Sequence, residues 1–592
     1  MRRRDLLASA GAALTMPAWP VLAAPFKRVR RGEPGWPSEA EWAELKAAVG
    51  GRLVKPEPLA LACMNDSKSD ACKALRKDLA NPYYIGDQPG GTQVSGWLDA
   101  WTPQQSAWSV EATSTADVVQ AVNFARRHRL RLAVKGGAHS YQGGSNAPDS
   151  LLIRTRAMHD ITVHDAFTPQ GASGPGVPAV SIGAGAMWVD AYDAVTSKAG
   201  RYVQGGGCAT VGCAGLVLGG GFGSFSKRYG TGGASLIEAE IVTADGQVRI
   251  VNAHRDPDLY WALKGGGQCA FGVVTRLTLK THELGREAGG FDLTVTAASD
   301  EAFRKLLAAF VETIATGLIN PHWGESVNVH GDNRLSVSMV FKDLTPAEAK
   351  AAWKPVTDLV AAAPADYQIK GPSAPTQPMK TWWDFAPLRK VGAPWVRFDT
   401  RSDAPDQHAW WAGDSDQVSM FITGYESLWL PASLLEKPSR ARLVDGLFEA
   451  SRHFAVSLHF NKGLAGAPAE ALAASRDTAT NPAVLDAFAL AIIATGTFPN
   501  YPGYPAVDFA KAQESARRID AATSALRPLA PAGGSYVSES NYFNKDWRQA
   551  FWGPHYPRLA AIKTKYDPEG LFVFHHGVGS ENWSPDGFTR IS

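Results

Sequence analysis

The chain has 592 residues, 45% of them apolar and 20% charged, with a formal net charge of +2. That length exceeds one ordinary core and predicts three or four domains at about 100–200 residues each. The near-neutral balance and the lack of a basic tract exclude a nucleic-acid-binding class. The high glycine, proline and tryptophan contents (58, 38 and 19 residues) favour a loop-rich α/β or α+β enzyme over a helical bundle.

Residues 1–24, MRRRDLLASAGAALTMPAWPVLAA, set three arginines before an apolar run and offer a small-residue cleavage pattern at Val21-Leu22-Ala23. They read as a signal peptide. Arg3-Arg4 followed by Asp5-Leu6-Leu7 has the twin-arginine pattern, with an ordinary secretory signal as the alternative. No other apolar stretch reaches the roughly 18 residues needed to span a bilayer. The expectation is an exported protein, periplasmic or extracellular, with no membrane span.

Residues 25–105 read as an N-terminal extension holding one amphipathic helix, Glu39 to Val49. Cys63 and Cys72 close a short loop there, and an oxidising compartment favours a disulfide between them. The odd count of five cysteines leaves at least one over, and Cys208 is the one in a glycine-rich setting. No His/Cys cluster has zinc spacing, so no metal is expected.

From Ser106 the pattern changes to short strands and helices. Ser106 to Val110 reads as a strand, and Thr113 to Asp117 as a cap for a helix to Arg127. Leu130 to Val134 is a strand leading into KGGAHSYQGGS, residues 135–145. Further strands follow at Leu151–Arg154, Met158–Val163 and Val180–Ala184, then a helix from Trp188 to Ala199. The stretch RYVQGGGCATVGCAGLVLGGGFG comes next. Ile237–Thr243 and Gln247–Val251 form a hairpin around Asp245-Gly246. A helix from Pro257 to Lys264 precedes a long strand. Gly265-x-Gly267-x-x-Ala270 matches the loose dinucleotide fingerprint, but a strand follows it, which excludes a Rossmann unit.

A second region begins near Gly290. It shows a strand at Phe291–Thr296, a helix at Glu301–Thr316, a hairpin from Glu325 to Phe341, and a helix from Pro346 to Ala362. A Trp- and Pro-rich insertion, Pro372 to about Trp429, either lines a ring-binding cleft or packs over a neighbouring core. Val456–Asn461 is a strand and Val507–Leu526 a helix. The last segment carries a helix, Tyr556–Tyr566, and a turn, Asp567–Gly570.

The two glycine-rich stretches share one logic. Glycine runs let backbone N–H groups approach a flat or phosphorylated ligand with no Cβ in the way. Each run holds one nucleophilic side chain, His139 in the first and Cys208 in the second.

Four segments in order resemble the FAD-linked oxidoreductases of the vanillyl-alcohol oxidase type, berberine-bridge-enzyme-like branch. KGGAHSYQGGS is similar to the first flavin loop and GGGCATVG to the second. FGVVT resembles the strand closing the flavin domain, and Tyr536 to Phe572 the C-terminal module with its Tyr-x-Asn and K-Y-D-P elements. The N-terminal Cys pair, VKGGAH and GVGS look closest to isoamyl-alcohol-oxidase-like proteins. The departures are Ala138 for glycine, Ala209 for proline and Ser538 for asparagine.

The resemblance implies an α+β fold: a two-part flavin-binding domain plus a substrate domain with an antiparallel sheet covered by helices. It gives 106–286 as FAD-binding, 287–528 as substrate domain, and 529–592 as the segment completing the flavin site. It implies FAD attached to His139 and Cys208. Lys135, Gly136, Gly137, Ala138, Ser140, Gly143, Gly144, Ser145, Gly207, Thr210, Val211, Gly212, Gly215, Val273, Tyr536 and Ser538 would surround the cofactor. Glu539 would take the substrate proton, with Tyr542 as alternative and His459 as a weaker candidate. Val211 sits where the family gates oxygen, and a valine leaves room.

The implied activity is oxidation of an alcohol or sugar hydroxyl, with dioxygen as acceptor. One alternative is a dehydrogenase using a quinone or other acceptor. Another, of a different class, is a non-catalytic flavin- or carbohydrate-binding protein.

Overall fold

Ser114 caps the helix Thr115–Arg127 and forms a reciprocal capping box with Asp117. Asp117 also accepts from Arg52 at 2.7 Å, which ties the N-terminal extension to this helix. The computed structural model describes residues 26–591; the signal-peptide reading of residues 1–24 lies outside them.

The first sheet uses β1 (Leu53–Val54), β2 (Trp108–Glu111), β3 (Arg131–Lys135) and β4 (Ser150–Arg154) in the order β1-β2-β4-β3. β4 pairs in parallel with both β2 and β3. β1 joins antiparallel to β2, and Trp42, Leu45 and Val49 share a core with Val118, Val122 and Phe124. The extension is therefore part of this layer rather than an appendage. Cys63 and Cys72 form a disulfide within it.

The second sheet comprises β5 (Ile161–Phe167), β6 (Val177–Gly183), β7 (Arg201–Val203), β8 (Leu236–Val242), β9 (Val248–Asn252) and β10 (Val273–Glu283). Its order is β5-β6-β10-β8-β9, with β7 also on β10. The β8–β9 turn falls at Asp245-Gly246 as expected, with Gly246 at φ +76°. The helix expected from Trp188 to Ala199 is α-helical only to Tyr192 and widens into a π turn over Asp193–Lys198.

The third sheet is antiparallel and larger. It includes β11 (Glu287–Ala297), β12 (Trp323–Val329), β13 (Arg334–Lys342), β14 (Tyr367–Ser373) and β15 (Thr376–Pro378). Within the tryptophan-rich segment, β16 (Val396–Phe398) and β17 (Ala409–Trp411) form a separate hairpin. β18 (Phe421–Pro431), β19 (Val456–His459) and β20 (Ala487–Thr497) complete the large sheet, ordered β14-β11-β13-β12-β19-β20-β18. Side chains from the helices Asp300–Thr313, Arg440–His453 and Phe509–Leu526 share its core.

Three sequence readings need correction here. The insertion expected to run to about Trp429 ends sooner, because Phe421–Pro431 is an edge strand of the main sheet. β20 received no assignment, because its first seven residues are all buried and form an apolar run without period. The single helix expected over 346–362 breaks into Pro346–Ala352 and Lys354–Ala362; Pro355 has no N–H for the i−4 bond.

The C-terminal module locks onto the first two layers through a buried knot. Lys563 Nζ donates to Ala270 O, Asp567 Oδ2 and Phe572 O at 2.6, 2.6 and 2.5 Å. Asp567 in turn accepts from the backbone N–H groups of Leu571 and Phe572. The D-P element of the K-Y-D-P motif is thus a structural hinge pin. Among the described residues, no helix is long and apolar enough to cross a membrane.

Candidate active site

The end of β3 and the chain beyond β7 deliver the two glycine-rich loops to one place. They touch backbone to backbone: a Cβ on Gly137 would lie 2.7 Å from Gly212 N and 3.1 Å from Thr210 O. Only glycine permits that approach. Ala138 adopts φ +65°, the left-handed region where glycine is the less strained residue. Gln93 N–H holds the Ala138 carbonyl at 3.0 Å. Ser140 Oγ accepts from Gly144 N at 3.2 Å and closes the loop on itself. Ser145 is buried.

His139 and Cys208 converge on a single hydroxyl. Thr210 Oγ1 lies 3.1 Å from His139 Nε2 and 3.8 Å from Cys208 Sγ. Burial lowers the His139 pKa to about 4, so the ring is neutral at physiological pH and keeps a lone pair. Burial raises the Cys208 thiol to about 12, and the neighbouring Asp414 carboxylate adds to the effect.

These loops line a cleft. Its lining includes Gly136, Gly137, Ala138, His139, Ser140, Gly144, Ser145, Val211, Gly212 and Gly215, together with Thr155 and Ala184 at the sheet ends. A Cβ at Gly215 would meet nothing within 4 Å. The cleft is long, apolar-walled and floored by glycine backbone. Its residues fit the flavin nucleotide that the resemblance implies.

Several expected residues take other places. The Lys135 ammonium is fully buried against the carbonyls of Gln88 and Gly91, each at 3.1 Å, and of Pro89. Its side chain therefore anchors the N-terminal extension, and only its backbone lines the cleft. Val273 packs into the first-sheet core, while its neighbour Val274 lines the cleft, as strand alternation requires. Gly143, at φ +74°, lies against the Trp101 ring in an adjoining cavity, where an added Cβ would come within 2.9 Å of the ring. Cys208, Thr210 and Gly207 stand behind the lining, joined to it through His139.

The opposite wall comes from the C-terminal module and the large sheet. Tyr536, Ser538, Glu539 and Lys462 all line the cleft. Lys462 Nζ and Glu539 Oε2 form a close ion pair, and Ser427 Oγ donates to the Glu539 carbonyl at 2.6 Å. Gln268 Nε2 reaches Ser538 Oγ at 3.5 Å, so the serine that replaces asparagine still has a polar neighbour. Burial, reinforced by the Glu539 charge, raises the pKa of Tyr141, Tyr425 and Tyr536 and keeps them as O–H donors. Tyr542 is absent from this wall: it stacks on His575 with ring centroids 3.7 Å apart in the adjoining cavity. His459 is bonded to Ser457 Oγ at 3.0 Å and also stands outside the lining.

Sequence reasoning missed Lys462, Tyr141, Tyr425, Asp414 and Glu325. Glu325 is the one that alternation could have found. It shares strand parity with Trp323, Val327 and Val329, all buried, so a carboxylate stands on a core face. It accepts from Ser224 Oγ and from Asn461 Nδ2 at 3.4 Å, and burial raises its pKa. Its φ of +63° inside a strand is a local strain. Asp414 lies in the irregular turn Ala412–Gln417, where no periodic signal exists.

The tryptophan-rich insertion proves to be packing rather than an open ring-binding cleft. Trp383 and Trp410 belong to the second-sheet core, and Trp411 Nε1 donates to Gly207 O at 3.1 Å. Trp395 remains exposed.

Residues 107–252 match the FAD binding domain family, and residues 535–579 match the family described as berberine and berberine like. The FAD-linked oxidoreductase ffsJ of Aspergillus flavipes is 28% identical over 91% of this chain and 92% of that protein. The VAO-type flavoprotein MtVAO615 from Myceliophthora thermophila C1 has a TM-score of 0.77 at 24% identity, covering 95% of this chain and 99% of that one. Glucooligosaccharide oxidase from Acremonium strictum, with a 6-S-cysteinyl, 8α-N1-histidyl FAD, has a TM-score of 0.64 at 18% identity, over 90% and 99% of the two chains. At these identities the two solved structures speak to the fold.

Proposed function

Starting from a chain that is an FAD-dependent oxidoreductase of the vanillyl-alcohol-oxidase and berberine-bridge-like type, we propose an oxidase acting on an alcohol or sugar CH–OH group. In this reading dioxygen is the acceptor and FAD is held by bonds to His139 and Cys208. The observation that carries it is the convergence of His139 and Cys208 on the Thr210 hydroxyl, across the cleft from the Glu539–Lys462 pair. The Acremonium enzyme, whose FAD is bonded through one histidine and one cysteine, supports the same pairing here.

When bound, FAD supplies a two-electron acceptor for the hydride of the C–H bond. The chain supplies the rest. Backbone of the loop residues that line the cleft, 136–141, 144, 211, 212, 214 and 215, holds the cofactor. With Nε2–H given to Thr210, the neutral His139 ring presents Nδ1 as its free lone pair. The Glu539 carboxylate takes the substrate hydroxyl proton. Lys462 holds that carboxylate in place, and the Tyr536 phenol, which lines the cleft, orients the substrate oxygen by donation. Val211 lines the cleft and leaves space for dioxygen. The Cys63–Cys72 disulfide supports export to an oxidising compartment.

Anaerobic bleaching of the flavin absorbance against a panel of alcohols and sugars tests the substrate class. Peroxide measured with and without a dye acceptor tests the oxidase reading. Fast dye reduction with no peroxide would replace it by a dehydrogenase. No bleaching with any member of the panel would favour a non-catalytic flavoprotein. Glu539→Gln should lower the rate of bleaching by about 10²–10⁴-fold while retaining the flavin.

A further inference from the structure

The insertion between β15 and β18 presses a carboxylate against Cys208. Three bonds fix the turn that carries it. Trp411 Nε1 donates to Gly207 O at 3.1 Å, one residue before the cysteine. Trp410 Nε1 donates to Ser415 Oγ at 3.1 Å within the turn. Tyr141 OH, two residues after His139, donates to Gln417 Oε1 at 3.3 Å. Between these ties stands Asp414, whose carboxylate faces the Cys208 thiol. Its Oδ2 is buried and has no hydrogen-bond partner among the described residues.

A buried carboxylate with an unpartnered oxygen is costly unless it serves a purpose. Cys208 supplies one. A thiol bonds to carbon as a thiolate, and burial holds this thiol protonated across the physiological range. It needs a proton acceptor in contact. Thr210, its other neighbour, is not a base. Glu325 lies beyond Gly207, and its own pKa is raised by burial. Glu539 is engaged by Lys462.

We infer that Asp414 is the proton acceptor for carbon–sulfur bond formation at Cys208. The inference rests on the reading of Cys208 as an anchor. The step balances as follows. Sγ–H gives its proton to Asp414 as Sγ bonds the ring carbon. That carbon loses its own hydrogen as a second proton, and the C–H electron pair stays in the ring. Dioxygen then takes two electrons and two protons and leaves as hydrogen peroxide. The groups facing Asp414 are the Cys208 thiol, the Tyr141 phenol and the Glu325 carboxylate. Burial, with the Glu325 charge adding to it, raises the Asp414 pKa to about 6, so it is ionised at neutral pH.

The test is peptide mass spectrometry of the denatured, iodoacetamide-treated holoprotein, read at His139 and Cys208 separately. In the Asp414→Asn variant the His139–flavin adduct should persist, reporting a folded cleft. The Cys208 adduct should form about 10²-fold more slowly, leaving an alkylated thiol. Asp414→Glu should restore part of it. A full Cys208 adduct formed at the wild-type rate in Asp414→Asn overturns the inference. A wild-type protein with a His139 adduct but none at Cys208 overturns the anchor reading itself, and the inference with it. Should Asp414→Asn not fold, the rate of Cys208-adduct formation in wild-type protein made without flavin and then given FAD decides. A rate falling about tenfold per pH unit below pH 6 supports the inference, and a flat profile from pH 5 to 8 overturns it.

Discussion

Replacing Gly137 by alanine tests whether the two glycine loops are built around mutual contact. The new Cβ would lie 2.7 Å from Gly212 N and 3.2 Å from Gly212 Cα, where ordinary contact begins at 3.4 Å. The loops must then part by about 0.7 Å, the difference between those distances. Backbone stands on both sides, so no side chain can swing away, and the cost should fall at the upper end of the usual 1–3 kcal/mol for overpacking, about 3 kcal/mol. A shift of that size also moves His139 relative to Thr210, and a misplacement near 1 Å can slow a positioned reaction by about 10²-fold. Gly215→Ala is the counterpart. Its Cβ meets no protein atom within 4 Å, and alanine in a helix is favoured over glycine by about 0.5–1 kcal/mol. Without flavin, Gly137→Ala should melt lower than wild type and Gly215→Ala at or above it. With flavin, both should show a reduced flavin-to-protein absorbance ratio. Equal melting of the two flavin-free variants would refute the argument that the loops touch at Gly137, and full flavin content in both would refute the glycine floor.

Asp567→Ala removes the centre of the Lys563 knot and leaves a buried ammonium unpaired; a loss of about 3–5 kcal/mol is expected in denaturant unfolding. Replacing both Cys63 and Cys72 by serine opens a loop with a sequence separation of 9. Loop-closure entropy puts the cost near 3 kcal/mol, confined to the extension and readable as faster hydrogen exchange there. His282 is held neutral by burial, with its pKa lowered to about 4 from 6.5. The unfolded chain binds its proton first, so stability is full above about pH 6.5 and is lost as pH falls toward 4, by about 3 kcal/mol. His282→Phe should flatten that part of the acid limb in denaturant titrations at pH 7 and pH 4.5.

The sequence was sufficient where the physics is local. Capping at Ser114, the turn at Asp245-Gly246 and the alternation in β13 follow from neighbours a few residues away. The glycine runs around His139 and Cys208 announced a closely approached ligand for the same reason: the absence of a Cβ is written in the residue itself. The break at Pro355 was equally local but lay hidden inside a continuous helical period. β20 was illegible because a strand buried on both faces has no polar phase.

Only the tertiary structure decided which side chains meet. Lys135 reads as a cofactor residue by its motif, yet its ammonium turns to three carbonyls of the extension. Lys462 and Glu539 stand far apart in sequence and pair on one wall of the cleft. Asp414 sits in a turn with no period, brought to Cys208 by two tryptophans whose purpose the sequence left open. Composition and spacing fix what a segment can be on its own. The partner of a buried charge is set by long-range packing, because the low-dielectric interior makes that partner obligatory while placing no constraint on where in the chain it comes from.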